Sequence, residues 1–121
     1  MQHTISYFID KFEKIPEEKW ITGSFHLGTR CCALGHCGSL YHNSPEAMEL
    51  IMLFKPIQTC DLMGVNIVAF INDGFHPGYK QPTPKQRIIA ALYDLKASEA
   101  VKEAQGIVDT KQVQEYESTT L

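Results

Sequence analysis

Two helix-start signals, each containing a proline, constrain how this chain can fold. At the first, Ser44 can accept a hydrogen bond from the first helical turn, Pro45 suits the first helical position, and Glu46 is favoured at the positive end of the helix dipole. At the second, Thr83 and Gln86 have the spacing of a capping box, with Thr83 as the cap and Gln86 reaching back. Because both signals precede apolar residues at helical spacing, they predict a mainly α fold.

The apolar pattern predicts where the helices end and which faces are buried. Pro16 should end an N-terminal helix, and Pro56 should end the helix that begins after Ser44. Further helices are predicted from residue 31 to about residue 41 and from residue 98 to residue 106. The predicted inward-facing residues are Ile5, Phe8, Ile9, Phe12 and Ile15 in the first helix, Met48, Ile51 and Met52 in the one after Ser44, and Ile88, Ile89, Leu92 and Leu95 in the one after Thr83.

Two segments fit either a helix or a strand. Residues 65–71 combine helical spacing with a richness in β-branched residues, and the Asn-Asp-Gly sequence at 72–74 ends the segment in either case. The tail, residues 107–121, alternates weakly and is typical of an edge strand or a C-terminal arm. We therefore expect one compact, mainly α domain over residues 1–106, a bundle of about five short helices. An α+β alternative with a small β element at 65–71 or 107–116 stays open.

Length, charge and hydropathy exclude several classes of protein. The 121 residues suit a single domain, and the net charge of −3 without a Lys/Arg stripe predicts no nucleic-acid binding. No stretch approaches the roughly 18 to 20 apolar residues of a membrane span, so we expect no membrane partner. Asp10 and Lys11 interrupt the apolar N-terminal pattern, which is unlike a signal peptide. Four cysteines without such a signal predict reduced thiols and a cytoplasmic location.

A cluster of cysteines is the most informative chemical feature of the chain. Three of the four cysteines lie within residues 30–38, together with His36 and two glycines. A structural zinc site needs four ligands, whereas Cys32 and His36 supply only two on one helical face. We therefore predict neither a metal site nor a cofactor. The alternative to a functional site is tight helix packing, because cysteine, alanine and glycine allow close approach.

The same cluster is compatible with nucleophilic catalysis. A cysteine at a helix N-terminus gains thiolate character from unpaired backbone N–H groups. Cys31 or Cys32 would lie at that position, and Cys32 is the candidate nucleophile. The candidate base is His76, or else His42, and Asp73 or Asn72 would orient it. The competing interpretation is that Asn72 and Asp73 only form a helix cap or a turn.

Four short motifs occur in the chain, at residues 20–23, 30–35, 71–73 and 83–95. In their order and spacing, the chain resembles a family of small uncharacterised bacterial and phage proteins. The family pattern is W-x-x-G, then C-x-x-G-A, then W-N-D, then T-x-x-E-V and a hydrophobic residue. The matching positions are Trp20, Gly23, Cys32, Gly35, Asn72 and Asp73. This chain departs from the pattern at His36, where the family usually has alanine, at Ile71, which replaces the second tryptophan, and in the additional Cys31 and Cys37. The resemblance implies a compact, mainly helical domain from a bacterium or phage, and no mechanism.

These observations favour a small binding module for a small molecule or a partner protein, with a phage or a mobile element as a fitting source. Loops on a rigid scaffold would converge on its pocket. Two alternatives stay open: a cysteine-dependent hydrolase or transferase that uses Cys32, and a structural or assembly protein that forms a homo-oligomer through the C-terminal arm. The residues predicted to bind the ligand are Trp20, Cys31, Cys32, His36, Asn72 and Asp73.

Overall fold

A computed structural model describes residues 3–39, 43–57 and 66–119, with side chains as far as residue 102. Its elements in chain order are α1 (Ile5–Glu13), a 3₁₀ turn (Glu17–Lys19), β1 (His26–Leu27), β2 (Arg30–Cys31), α2 (Ala33–His36), α3 (Pro45–Phe54), α4 (Ile67–Asn72) and α5 (Pro84–Thr119). Helix α5 packs most extensively against α1 and α4, and α2 and α3 complete the bundle. The described part of the chain is thus mainly α with a small antiparallel sheet, which confirms the predicted fold class.

Each of the three main helices begins at a side-chain cap, and two of these caps, Ser44 and Thr83, are the predicted ones. Thr4 caps α1 by accepting the N–H of Tyr7 at 3.1 Å, and Ser44 caps α3 by accepting the N–H of Ala47 at 3.1 Å. Thr83 accepts the N–H of Gln86 at 3.2 Å at the start of α5. Each cap satisfies a backbone donor that a helix start would otherwise leave without a partner.

The buried face of α3 differs from the predicted one. Ala47, Leu50 and Phe54 are fully buried, whereas Met48 and Met52 are each 46% exposed. Ile51 is half-buried at the edge of the buried stripe. The prediction of Met48 and Met52 as core residues is therefore wrong. Only one stripe of a helix can face the core at a period of 3.6 residues, and here that stripe carries the bulky Phe54 and Leu50.

Residues 67–72 form a helix, so a β element at 65–71 is wrong for the part that the structure describes; residue 65 itself lies outside it. Asn66 caps α4 by accepting the N–H of Ala69 at 2.9 Å. Five of its six residues are buried, because α4 is surrounded by other elements. A helix that is buried over nearly all of its surface has the same unbroken run of apolar residues as a buried strand, which explains the ambiguity. Gly74 follows with φ of 87°, so the predicted end of the segment is confirmed.

Helix α5 is continuous over Pro84–Thr119, which corrects two predictions. No new helix begins at Ser98, and residues 107–116 are helical rather than an edge strand. A glycine in a helix interior costs about 1 kcal/mol relative to alanine, and the surrounding good helix formers offset that cost at Gly106. Ile88 and Leu92 are fully buried and Leu95 is 7% exposed, as predicted. Ile89 is half-buried.

The predicted helix from residue 31 to about residue 41 is much shorter. Cys31 belongs to β2, which pairs with β1 in a small hairpin, and α2 begins only after Cys32. Gly38, with φ of 97°, follows its end; residues 40–42 lie outside the described ranges. A Cβ atom at Gly35 would lie 1.8 Å from the carbonyl oxygen of Phe25. The hairpin therefore packs directly on α2, and only glycine permits that approach.

A polar seam joins α1 to α3 away from the hairpin. Glu46 accepts hydrogen bonds from Lys11 Nζ at 2.7 Å and from the Tyr7 hydroxyl at 2.9 Å. His3 Nδ1 lies 2.6 Å from a carboxylate oxygen of Glu49. Burial acts to raise the pKa of the Glu46 carboxyl, but the hydrogen bonds from Lys11 and Tyr7 outweigh it, so the pKa is lowered. No helix in the described ranges is long and apolar enough to cross a membrane.

Candidate functional site

A cleft of about 260 Å³ lies where the loop before β1 meets α2 and α4. Its walls combine apolar side chains with a carboxylate, a hydroxyl and a thiol. Among the described residues, the lining consists of Gly23, Ser24, Phe25, Cys32, Leu34, Ala69 and Asp73. Two of the residues predicted from sequence, Cys32 and Asp73, thus line the same cleft.

The side chain of Asn72 holds together the backbone segments that form the wall of this cleft. This side chain is fully buried, accepts the backbone N–H of Ala33 at 3.1 Å and donates to the carbonyl oxygen of Ile21 at 3.0 Å. It also donates to Asp73 Oδ1 at 2.9 Å. One amide therefore ties the start of α2 and the loop before β1 to the end of α4. Because both amide hydrogens of Asn72 already have hydrogen-bond partners within the protein, Asn72 supports the wall of the cleft rather than a ligand.

Asp73 both accepts a hydrogen bond from Asn72 and lines the cleft. Its Oδ1 atom accepts the backbone N–H of Gly23 at 3.1 Å in addition to the Asn72 amide. Both hydrogen bonds from described donors to Asp73 end on Oδ1, and neither uses Oδ2. The first oxygen thus holds the loop in place, and the second has capacity to accept hydrogen bonds from a ligand.

Arg87 completes the network, and sequence reasoning missed it. Its side chain is only 8% exposed, and its guanidinium donates to the carbonyl oxygens of Ile71, Asn72 and Gln81 at 2.8 to 3.2 Å. The bonds to Ile71 and Asn72 satisfy carbonyls at the C-terminus of α4, where a cation is also favoured by the helix dipole. Burial lowers the pKa of Arg87, and Asp73 acts in the opposite direction. The available signal was a lone arginine beside Ile88 in the apolar stripe of α5.

The thiol of Cys32 is buried and uncharged near neutral pH. The backbone N–H of Cys32 donates to the carbonyl of Phe25 at 3.1 Å, and Cys32 is the N-cap residue of α2 without forming a side-chain hydrogen bond there. Burial raises the pKa of the Cys32 thiol and Asp73 raises it further, which outweighs the opposing N–H groups of Gly35 and Leu34. Burial also raises the pKa of Cys31, which is half-buried in β2.

His76, the predicted base, is not among the described residues that line the cleft. Its buried ring contacts Tyr79 and Phe70, with ring centroids 5.1 and 6.3 Å apart. Its Nδ1 atom accepts the backbone N–H of Gly78 at 2.9 Å, which orders the loop after α4. His42, the other candidate base, lies outside the described residues.

Trp20, which is buried in the core, contacts the half-buried ring of His36, and neither residue is among the described lining residues of the cleft. Trp20 is 5% exposed, and its ring centroid lies 4.8 Å from that of His36 and 5.3 Å from that of Phe12. The indole N–H donates to the carbonyl of Ile15 at 3.4 Å, and His36 Nε2–H donates to the carbonyl of Lys19 at 2.9 Å. Burial lowers the pKa of the His36 ring.

No group of three or more His, Cys, Asp or Glu side chains in the described ranges is arranged to hold a metal ion. Comparisons with protein-family models, curated proteins and solved structures found no match for this chain. The resemblance carried by Trp20, Cys32, Asn72 and Asp73 therefore stays a prediction.

Proposed function

We propose that this chain is a small-ligand binding module whose site is the cleft between the loop before β1, α2 and α4. The observation that carries the proposal is a cleft of about 260 Å³ with a carboxylate on its wall. The network of Asn72, Asp73 and Arg87 holds that wall in position without a ligand. Pre-formed, largely apolar clefts with a few placed polar groups are typical of small-molecule sites.

The size of the cleft limits the ligand to a small molecule. A cavity of about 150 Å³ accommodates benzene, whereas drug-sized ligands occupy pockets of about 300 to 1,000 Å³. The space here suits one ring with short substituents. Phe25, Leu34 and Ala69 supply apolar contact, and Ser24 and Asp73 supply polar contact. The absence of a lysine or arginine from the described lining argues against a heavily phosphorylated ligand.

Filling the cleft tests this proposal. Ala69 lines the cleft and is half-buried on α4, so Ala69→Leu places three additional carbon atoms at the cleft wall. Ala100→Leu makes the same change at an exposed position of α5. A panel of single-ring compounds should raise the melting temperature of the native chain and of Ala100→Leu, and not that of Ala69→Leu. No response to any compound, or an equal response in both variants, would contradict the proposal.

A cysteine-dependent hydrolase or transferase is the second candidate, and it is supported by the presence of Cys32 and Asp73 in one cleft. The raised pKa of the thiol weighs against it, because catalytic cysteines act as thiolates. Native-state alkylation of each cysteine against pH separates the two candidates. Fast modification of Cys32 with an apparent pKa below about 8.5 favours the enzyme; protection until unfolding favours the binding module.

A further inference from the structure

We infer that the ligand of the cleft carries a primary ammonium group that binds Asp73 Oδ2, on a small apolar body. The inference rests on the proposed function, because it assigns a chemical class to the ligand of the same site. The two carboxylate oxygens of Asp73 differ in how many hydrogen bonds they already accept, and that difference indicates the chemical class of the ligand.

The hydrogen bonds to Asp73 leave one oxygen for a ligand. Oδ1 accepts from Gly23 N–H at 3.1 Å and from Asn72 Nδ2 at 2.9 Å, and these two bonds occupy both of its lone-pair directions. No Lys or Arg side chain in the described ranges forms an ion pair with Asp73. The nearby cation, Arg87, directs its donors to backbone carbonyls instead.

One available oxygen selects a compact cation over a planar one. A guanidinium or an amidinium binds a carboxylate best through two parallel N–H bonds, which requires both oxygens. An ammonium is a point charge with three donors and makes one strong bond to a single oxygen. The remaining donors can reach polar atoms of the loop or water.

The other walls of the cleft favour the same ligand. Phe25, Leu34 and Ala69 line the same cleft as Asp73 and give it apolar surface, and a charge-assisted hydrogen bond is stronger beside apolar surface than in bulk water. The Cys32 thiol is uncharged near neutral pH and adds no competing charge. A ligand carboxylate would meet Asp73 as a like charge and would be repelled. The inference therefore predicts an order of affinity: amine first, neutral alcohol second, carboxylate last.

The test is a titration of the native chain with benzylamine, benzyl alcohol, benzoate and benzamidine, followed by protein-observed NMR. Benzylamine should bind about tenfold more tightly than benzyl alcohol, because a charge-assisted hydrogen bond is about twice as strong as a neutral one. It should also bind more tightly than benzamidine, and benzoate should not bind. Benzyl alcohol binding as tightly as benzylamine would overturn the ammonium assignment and leave the proposed function standing. Tighter binding of benzamidine would overturn the selection of a compact cation.

Asp73→Asn is the matched variant, because its Oδ1 atom can still accept the N–H of Gly23 and the amide of Asn72. It should abolish the preference for benzylamine over benzyl alcohol, whereas Glu18→Gln, an equal change of charge at an exposed position, should preserve it. Retention of the preference in Asp73→Asn would overturn the inference. If Asp73→Asn does not fold, the order of affinities in the native chain decides the inference by itself. Failure of all four compounds to shift the cleft signals would contradict the proposed function as well.

Discussion

The side-chain amide of Asn72 joins three backbone segments, and its removal should be costly. Asn72→Ala leaves the buried N–H of Ala33 and the carbonyl of Ile21 without their partners. Each unsatisfied buried group costs about 1–3 kcal/mol, so we expect the free energy of unfolding to fall by about 2–4 kcal/mol. Urea denaturation followed by circular dichroism measures the change.

A second asparagine at the other end of α4 provides the control for that variant. Asn66 is a helix cap, and Asn66→Ala should lower the free energy of unfolding by about 1 kcal/mol. If Asn72→Ala costs no more than Asn66→Ala, the Asn72 amide does not hold the wall of the cleft.

His36 should make the fold less stable in mild acid. Burial is the main cause of its lowered pKa, although the carbonyls of Lys19 and Cys31 act in the opposite direction. The unfolded chain, with an imidazole pKa of about 6.5, therefore binds more protons than the folded chain as the pH falls through that value. Stability due to the neutral ring is present above pH about 6.5 and is lost as the pH falls below it.

His36→Gln tests this expectation, because glutamine does not titrate and its amide can still donate to the carbonyl of Lys19. Relative to the native chain, the variant should gain stability as the pH is lowered from about 7.5 to about 5.5. The measurement is the midpoint of urea unfolding across that range. Parallel pH profiles for the two proteins would show that His36 is not responsible.

Among the elements, the contact between the hairpin and α2 depends most on a single residue. A Cβ atom at Gly35 would overlap the backbone oxygen of Phe25 at 1.8 Å and lie 2.9 Å from the Cβ atom of Cys31. Gly35→Ala should therefore displace the hairpin, lower the free energy of unfolding by about 1–3 kcal/mol and disrupt the cleft. Backbone NMR shifts of β1, β2 and the cleft residues report the displacement.

The matched control lies in the hairpin turn itself. Gly28 has φ of 63°, and no heavy atom lies within 4 Å of the point that a Cβ atom would occupy. Gly28→Ala therefore adds only backbone strain, of about 1–2 kcal/mol, and should leave the shifts of α2 unchanged. Equal shifts of α2 in Gly28→Ala and Gly35→Ala would contradict the close-packing argument.

Local signals predicted the elements well where the deciding interaction is local. The caps at Ser44 and Thr83 act within one turn, so the starts of α3 and α5 could be predicted from sequence. The buried face of α3 and the helical state of residues 67–72 depend on which elements surround them. Those predictions were wrong or ambiguous because periodicity alone does not specify the neighbours.

The lining of the candidate site was predictable only where residues carry a chemical signature. Cys32 and Asp73 drew attention as a thiol and a carboxylate, and both line the cleft. Phe25, Leu34 and Ala69 form most of its apolar wall, yet ordinary apolar residues give no signal in a single sequence. Arg87 was missed because its role is to satisfy the carbonyls at the end of α4, and that packing arises only in the folded chain.

The molecule as a whole should retain its fold and its binding without the last part of α5. Leu95 is the last buried core residue among the described side chains, so truncation after Gly106 should leave the unfolding midpoint and the response to ligands unchanged. The assembly hypothesis instead predicts that this truncation dissociates an oligomer. Sedimentation of the full and truncated chains distinguishes them: a drop in subunit number supports assembly through the C-terminal arm, and an unchanged number contradicts it.

Whether the cleft binds a small molecule can be decided by locating a bound compound on the native chain. Amide shifts should be recorded while benzylamine is added, with Ala69→Leu as the blocked control. We predict saturable shifts concentrated at Gly23, Phe25, Cys32 and Asp73, and none of them in the blocked variant. Shifts scattered over the surface, or equal shifts in both proteins, would contradict the claim that this cleft is the binding site.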